Sequence, residues 1–425
     1  MGKGGAVAKA GGATATATEV LINGEYYDVA EFAKKHPGGT VIGFYTGNGI
    51  DASQAYNNFH IRSKKANKML ASIPHRAADA TSVEATRLPG QSALMKDFDE
   101  LQKSLVAEGF FEPAPLHVAY RVAEIVLMHA VGLYLLLNNN VALGIIVLGV
   151  VSGRCGWLMH EGGHYSLTGN ITVDRALQIV LYGVGCGMSG GWWRSNHNKH
   201  HSMPQKLGCD VDLDTLPLVA FTEKVVLRVK KIGDALKRWV SVQAYLFPIC
   251  TTLLVALGWQ LYLHPRFIIR RKNLGEGVAL LTRYALWTVL ITQRFGLAQS
   301  ALLYLAYNWV ASNYIFINFA VTHTHLPVVP KEDTQVDWVR YAAVHTMNVH
   351  PGPLGFVNWW MSYLNFQIEH HLFPSMPQFR HPIISARVRK LFEKHGLVYD
   401  QRDYITSMKV TFANLDKVGH DIFYG

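Results

Sequence analysis

Long apolar runs constrain this chain most strongly, because a run of about 20 such residues is stable as a helix across a bilayer. Two of them are separated only by three asparagines at 138–140, which form a polar turn. Another two lie close together in the second half of the chain. The sequence therefore predicts four transmembrane helices in two hairpins, at about 118–137, 141–159, 278–293 and 299–321.

A further apolar run, at 240–263, is assigned differently. If it also crossed the bilayer, the following loop with Arg266, Arg270 and Arg271 would be translocated. The positive-inside rule disfavours that outcome, and Pro248 interrupts the run. We therefore predict a re-entrant or interfacial segment here, so that everything outside the four spans faces one compartment.

The composition agrees with a membrane protein that also has a polar part. Charged residues are only 16% of the chain, against roughly 25% in ordinary soluble proteins, yet the mean hydropathy is only +0.10. The 40 Lys and Arg exceed the 30 Asp and Glu, which suits either nucleic acid or an anionic membrane face. The apolar runs favour the membrane, and no nucleic-acid partner is expected.

The polar part precedes the spans. Residues 1–18 are rich in Gly, Ala and Thr without an apolar core, which predicts a disordered tail and not a signal peptide. Residues 19–76 begin with alternating apolar positions and contain a His-Pro-Gly-Gly turn, which predicts a small α+β domain. Residues 77–95 are predicted to be a linker, and residues 96–425 to form an all-α membrane domain.

Three histidine clusters in the membrane domain point to its chemistry. Spacings of three and four residues place side chains on one face of a helix. The first two clusters follow the second span and the third cluster follows the fourth span, so all three are predicted on the same side of the bilayer. This many imidazoles suit two metal ions, although residue type alone does not distinguish iron, copper, zinc and nickel. The clusters are His160-Glu-Gly-Gly-His164, His197-Asn-Lys-His200-His201 and Gln367-Ile-Glu-His370-His371.

Two alternatives to a di-metal site remain at this point. The first cluster matches the H-E-x-x-H motif of zinc proteases, in which Glu161 would be the general base. Against it, Gly162 and Gly163 weaken the helix that this motif requires, and one zinc leaves the other clusters unexplained. Chance scatter of histidines is the second alternative, which three regularly spaced clusters disfavour.

A separate pair of histidines lies in the soluble domain. His36 is part of His36-Pro37-Gly38-Gly39, and His60 follows 24 residues later. Two histidines can hold a haem iron from opposite faces, which leaves no open position and favours electron transfer. A bare haem electron carrier would need only this pair. Spacing alone does not distinguish such ligands from two surface histidines.

Longer motifs resemble known families. DVAEFAKKHPGG followed by DASQAYNNFH resembles the haem-binding core of cytochrome b5, which implies that His36 and His60 are the axial ligands of haem b. The three clusters, in this order and flanked by two hairpins, resemble the histidine boxes of membrane fatty-acid desaturases. Because Gln367 stands in place of the first histidine of the third box, the chain resembles the front-end subgroup of these desaturases. Enzymes of this subgroup insert a double bond between an existing one and the carboxyl end.

The resemblance also implies a metal site and its ligands. Hydrogen removal from an unactivated methylene requires a metal that changes redox state, so two non-haem iron ions are expected and not zinc. An extra ligand is expected from the end of the last span, where His323 is the best candidate and His325 or Asn348 the alternatives. Gln367 is expected to position groups for catalysis. The expected metal ligands are His160, His164, His197, His200, His201, His323, His370 and His371.

Within the front-end subgroup, GRCGWLMHEGGHYSLTG and DVDLDTLPLVAF are most similar to delta-5 and delta-6 enzymes of microalgae and thraustochytrids. We therefore expect oxygen-dependent delta-5 desaturation of C20 polyunsaturated acyl chains. Delta-6 desaturation of C18 chains is the alternative, and a sphingolipid long-chain-base desaturase is a more distant one. The expected partners are an acyl-CoA or phospholipid substrate, O2, NADH-dependent cytochrome b5 reductase and membrane lipids. The expected location is the endoplasmic reticulum membrane, with the haem domain and the histidine boxes cytosolic.

Overall fold

The computed structural model describes residues 15–47, 49–228 and 233–425 of the 425-residue chain. These residues form a small α+β domain followed by a helical domain. Residues 1–14, which are most of the tail predicted at 1–18, lie outside the described residues.

The N-terminal domain contains a three-stranded antiparallel sheet whose strands pair in chain order. A tight turn joins the first two strands, and its residues Asn23 and Gly24 both have positive φ, as hairpin turns of this kind require. The last strand ends at Ala77, one residue after the predicted domain boundary. The elements are β1 (Glu19–Ile22), β2 (Glu25–Asp28), α1 (Ala30–Ala33), a 3₁₀ helix (Gly39–Phe44), α2 (Ser53–His60), α3 (Lys64–Leu70) and β3 (His75–Ala77).

The segment predicted as a linker at 77–95 contains a short helix. Helix α4 covers Ala80–Thr86, because the Asp79 side chain accepts hydrogen bonds from the backbone N–H groups of Thr81 and Ser82 and so caps the helix. Composition predicted a linker here and gave no sign of this capping interaction.

Helix α5 (Gln91–Ala107) joins the two domains into one body. Its residues Leu94, Phe98 and Leu105 are fully buried. They belong to a single hydrophobic cluster that also contains Ile50 of the N-terminal domain and Phe373 of the membrane domain. The haem-domain fold therefore shares a core with the rest of the chain.

Helices α6 (Pro115–Leu137) and α7 (Val141–Gly163) form the first predicted hairpin, and both are long and apolar enough to cross a membrane. They approach closely because small residues lie at their contact: a Cβ on Gly144 would lie 2.6 Å from the backbone nitrogen of Leu136. Large apolar side chains of α6, such as Val126 and Leu127, are exposed on its outer face. Such a face is suited to lipid.

The second predicted hairpin lies within the helical stretch α13 (Leu274–His323), which breaks at Gly296 with φ 71° and ψ 171°. The Arg283 guanidinium lies 4.6 Å from the centre of the Tyr307 ring, whereas 24 residues of unbroken helix would separate the two by about 36 Å. The chain therefore reverses at Gly296. Arg294, next to this reversal, donates a hydrogen bond to Asn139 in the turn of the first hairpin, so both hairpin turns lie at the same end of the bundle.

The stretch Gln243–Arg271, which includes the segment predicted to be re-entrant, also qualifies as a span by length and composition. At its start, the Gln243 side chain bonds the backbone of Ala220, and near its end His264 accepts from the N–H of Ser189. Both of these contacts flank the helix that carries the second histidine cluster. The stretch is helical from its first residue to its last, so its two ends are separated by the length of the helix.

The remaining elements lie between the two hairpins and after the second one in the chain. They are α8 (Ile171–Gln178), a π-helical turn (Ile179–Val184), α9 (Gly190–Ser202), 3₁₀ helices (Val211–Leu213 and Glu223–Arg228), α10 (Asp234–Ser241), α11 (Gln243–Leu253), a π-helical stretch (Leu254–Leu263), α12 (His264–Arg271), α14 (Trp338–His345), β4 (Asn348–Val349), a 3₁₀ helix (Pro353–Gly355), α15 (Phe356–Trp360), α16 (Gln367–Leu372), a 3₁₀ helix (Gln378–Arg380), α17 (His381–Lys394), β5 (Gln401–Arg402) and α18 (Tyr404–Tyr424). The strands β4 and β5 pair in parallel.

Candidate metal centre

Four helix ends bring the histidine clusters together. The first cluster lies at the end of α7, the second at the end of α9 and the third on α16, while His323 is the last residue of α13. Glycines let α7 and α9 approach: a Cβ on Gly163 would lie 2.7 Å from Nε2 of Gln178 and would also collide with the Trp193 ring. The glycines of the first cluster therefore serve close packing between helices.

The histidines form two sets, within each of which the candidate ligand atoms all lie within 4.8 Å of one another. The sets touch, because the rings of His201 and His371 stack with their centroids 4.2 Å apart. Of the eight side chains, only His197 is not fully buried. The five-residue set is His160, His164, His197, His201 and His370, and the three-residue set is His200, His323 and His371.

Several of these imidazoles have a ring nitrogen without a hydrogen-bond partner. Buried ring nitrogens of His164, His200, His201, His370 and His371 make no hydrogen bond within the described residues. Unpaired buried polar groups are costly unless something else satisfies them. A metal ion bound to each set would satisfy one ring nitrogen of each histidine, and an all-imidazole donor set suits first-row transition metals.

Most of the histidines are held in the neutral form that binds metal. Burial, followed by the neighbouring imidazoles, holds the pKa values of His201, His370 and His371 well below the usual range. His200 differs, because Asp210 and Asp212 outweigh its burial and raise its pKa to about 9. A metal ion at the free nitrogen of His200 would replace that proton.

Carboxylate, amide and carbonyl groups orient three of the imidazoles by contacts to Nδ1. Nδ1 of His200 lies 3.0 Å from Oδ2 of Asp210, and Nδ1 of His323 lies 3.2 Å from the carbonyl oxygen of His345. Each contact leaves Nε2 for the set. Nδ1 of His160 lies 2.8 Å from the Gln378 side-chain amide, whose Oε1 has no partner within the described residues and would accept the Nδ1 proton if the amide were rotated.

The alternatives proposed to His323 lie elsewhere. The ring nitrogens of His325 contact Thr411 and Arg402 at 3.3 and 3.4 Å, and His325 belongs to neither set. The Asn348 side chain donates to Glu369 and accepts from the backbone of Ile368. Asn348 therefore supports the helix that carries the third cluster and does not face the metal sets.

Gln367 is buried beside the three-residue set. Its side chain interacts with His323, and its Oε1 has no hydrogen-bond partner within the described residues. An amide oxygen in this position can accept a hydrogen bond or bind weakly to a metal. The geometry thus brings Gln367 to the site together with the eight histidines.

His36 and His60 face each other in the N-terminal domain. Their ring centroids are 6.3 Å apart. Two metal–imidazole bonds of about 2.0–2.1 Å, with about 1.1 Å from each nitrogen to its ring centre, give nearly the same spacing. Each Nδ1 lies near a backbone carbonyl, of Gly39 and Tyr56 respectively, so each Nε2 is free for the metal.

The glycine after Pro37 in the His-Pro-Gly-Gly turn has a steric role. A Cβ on Gly38 would lie 2.7 Å from the His36 ring, while Gly39 has φ 79°, which favours glycine. The turn thus places His36 opposite His60, and the residues present fit a haem iron held from both faces.

Sequence reasoning missed the groups that support the ligands. Asp210, Gln378 and Glu276 bear no regular spacing to the histidines. Glu276 lies on α13 and accepts hydrogen bonds from Ser189 and from the backbone of Gly191, at the N-terminus of α9. For Asp210 and Gln378 the only sequence signal is an acidic or amide residue near a box, which is too common to select them, and Glu276 is far from every box in sequence.

Fold and site together define a class: a membrane protein that joins a haem-type domain to a buried histidine metal centre. A family model described as cytochrome b5-like haem/steroid binding domain matches residues 14–78, and the fatty acid desaturase model matches residues 139–403. The chain belongs to the fatty acid desaturase family. The cytochrome b5-like domain implies haem, and the desaturase family implies a di-iron centre.

The chain is similar over nearly its whole length to curated desaturases. It is 55% identical to the acyl-lipid (8-3)-desaturase of Rebecca salina and 47% identical to that of Thraustochytrium, in each case over 95% of this chain and 92% of the relative. It is 27% identical to human fatty acid desaturase 3, over 94% of this chain and 89% of the relative. The protein is therefore a front-end acyl-lipid desaturase, an oxidoreductase, and the zinc-protease alternative is rejected.

Proposed function

We propose that this chain inserts a delta-5 double bond into C20 polyunsaturated acyl chains, using two non-haem irons and haem b. The convergence of five and three histidines, all but His197 buried, in two touching sets carries the proposal. The reaction consumes one O2, two electrons and two protons, converts –CH2–CH2– to –CH=CH– and releases two waters. Iron, when bound, supplies the oxidising power for removal of the two hydrogens.

The five-residue set would hold one iron and the three-residue set the other. Gln367 lies beside the second set, where its Oε1 would orient a water or bind the metal weakly. His200 is braced by Asp210, so its Nε2 keeps a fixed direction. The burial of both sets excludes bulk water from the reacting carbons.

His36 and His60 would bind haem b and pass electrons singly to the histidine centre. Because two histidines would hold the iron, the haem site would be suited to electron transfer and not to oxygen binding. The electrons originate from NADH through a cytochrome b5 reductase. We propose the endoplasmic reticulum membrane as the location, with the haem domain and the histidine boxes on the cytosolic side where that reductase works.

The choice of delta-5 rests on the relatives. We take the designation (8-3) in two of their names to mean a new double bond three carbons to the carboxyl side of one at carbon 8, which is carbon 5. A relative named acyl-lipid 8-desaturase is only 28% identical. The name acyl-lipid also favours a phospholipid carrier over acyl-CoA and over a sphingolipid base.

Expression in yeast tests the proposal. Cells are fed dihomo-gamma-linolenic, eicosatetraenoic, linoleic or alpha-linolenic acid separately, and new double bonds are located by mass spectrometry in the phospholipid and acyl-CoA fractions. Arachidonic and eicosapentaenoic acids, formed first in phospholipid, are expected. Gamma-linolenic or stearidonic acid would instead establish delta-6 activity, and early product in the acyl-CoA fraction would overturn the carrier assignment. Purified protein should contain two non-haem irons and one haem.

A further inference from the structure

The haem site and the histidine centre are connected through consecutive residues of one helix. His60 is the last residue of α2 and faces His36. The residue before it, Phe59, points elsewhere, because neighbouring residues on a helix are rotated by about 100°. The Phe59 ring lies edge-to-face against the ring of His201, with centroids 6.4 Å apart and an interplanar angle of 80°. His201 belongs to the five-residue set.

The Phe59 ring is also fixed from its other side. It packs edge-to-face on Trp338 at 5.7 Å, and the Trp338 indole N–H donates to the carbonyl oxygen of Leu372, the residue after His371. Phe59 is therefore wedged between the second and the third histidine clusters. An aromatic side chain with two such contacts has little freedom to move.

Two hydrogen bonds hold the N-terminal domain against the segments that follow the second and third clusters. The Ser375 hydroxyl donates to the carbonyl oxygen of Asn58 at 3.2 Å, and the contact is buried. The hydroxyl of Tyr45 donates to the carbonyl oxygen of Ser202, which follows His201, also at 3.2 Å. These contacts, together with the shared hydrophobic core, keep the haem domain docked in one orientation, so that no swinging motion is needed to bring the two centres together.

We propose that Phe59 is the positioning residue through which electrons pass from the haem to the histidine centre. The proposal rests on the proposed function, since it assumes haem at His36 and His60 and iron at the histidine sets. In each transfer one electron leaves the ferrous haem, which becomes ferric, and reduces one ferric non-haem iron to ferrous. No bond forms or breaks. The ring fills the gap between α2 and His201, and electron tunnelling slows steeply as such a gap opens.

The test is a stopped-flow measurement on the purified holoenzyme without oxygen. The haem is reduced by NADH and reductase, and the decay of the ferrous haem band reports transfer to the ferric centre. The variants are Phe59→Leu, which removes the ring, and Phe59→Tyr, which keeps it. Phe32→Leu is the matched control, because Phe32 contacts the other haem histidine, with ring centroids 5.6 Å apart, and belongs to the same core cluster.

The expected result is loss of the fast phase in Phe59→Leu, with the fast phase kept in Phe59→Tyr and Phe32→Leu. Haem content, iron content and the haem spectrum should match the wild type in all three. Direct chemical reduction of the iron, followed by oxygen, should give the wild-type product yield from Phe59→Leu, which a damaged metal site would not. A wild-type fast phase in Phe59→Leu, or a loss explained by missing iron, overturns the proposal. Wild-type protein lacking haem or iron would instead refute the proposed function.

Discussion

Replacement of Asp210 by asparagine tests how the protein supports its metal ligands. Oδ2 of Asp210 accepts hydrogen bonds from His200 Nδ1 and from the N–H of Gln205, at 3.0 and 2.7 Å, and Oδ1 accepts from the N–H of Asp212 at 2.9 Å. An asparagine whose oxygen takes the Oδ2 position keeps the first two bonds and loses the third. Asp210→Asn thus removes the charge behind His200 while leaving its orientation largely intact.

The expected magnitude follows from these contacts. Loss of a carboxylate partner behind a metal-binding histidine costs about 10–100-fold in metal affinity, or about 1.4–2.7 kcal/mol. Asp210→Ala would in addition leave the buried N–H of Gln205 without its acceptor, at about 1–3 kcal/mol of folding stability. The asparagine variant is therefore the more informative one, since it separates metal binding from folding.

The assay is iron retention. Purified protein is dialysed against increasing concentrations of an iron chelator, and iron and haem are quantified together, so that haem reports an intact N-terminal domain. Asp210→Asn should lose iron at lower chelator concentration than the wild type, with lower desaturation. Asp212→Asn is the control and should have a smaller effect, because Asp212 is 34% exposed and 3.2 Å from His200. Identical iron retention in Asp210→Asn and wild type would refute the reasoning.

Three other variants probe separate parts of the structure. His60→Ala should abolish the low-spin haem spectrum while iron content stays at the wild-type level, and an unchanged haem spectrum would contradict the axial assignment. Gly149→Ala should destabilise the protein by about 1–3 kcal/mol, because its Cβ would lie 2.6 Å from Cγ1 of Val310 on α13. Thermal unfolding in detergent measures this against Gly277→Ala, whose Cβ would meet only a side chain at 3.6 Å. Glu276→Gln should weaken the N-terminus of α9 by about 0.3–1 kcal/mol, seen as earlier loss of iron, whereas unaltered retention would assign Glu276 no role in holding that helix.

The arrangement of the spans was predictable because it depends on apolar runs, which the sequence displays directly. The second hairpin illustrates this, because its runs at 278–293 and 299–321 leave 294–298 for the turn, and the chain reverses at Gly296. The linker at 77–95 shows a limit, since the helix there depends on the cap formed by Asp79. Local hydrogen bonds of this kind leave little trace in composition.

The metal site divides in the same way. The three boxes can be recognised from the spacing of their residues, because each box lies on one helix. The resemblance to desaturases singled out His323 at the end of the last span. The structure brings all of these residues together. Asp210 and Gln378 could not be selected, because each contacts its histidine through tertiary structure and many acidic and amide residues have similar surroundings in sequence.

The position of the histidines at the ends of helices has a physical reason. An imidazole without a partner is costly inside hydrocarbon, so ligands are best placed where a span leaves the membrane. Helices α7 and α13 each end at a ligand, His160 with His164 and His323 respectively, and α9 and α16 cover these ends with the remaining histidines. The haem domain then packs on the covering helices through Phe59 and Tyr45. Helices α9 and α16 thus bury the ligands at the ends of α7 and α13, and the haem domain in turn covers α9 and α16. The metal centre can therefore be dry although it lies outside the spans.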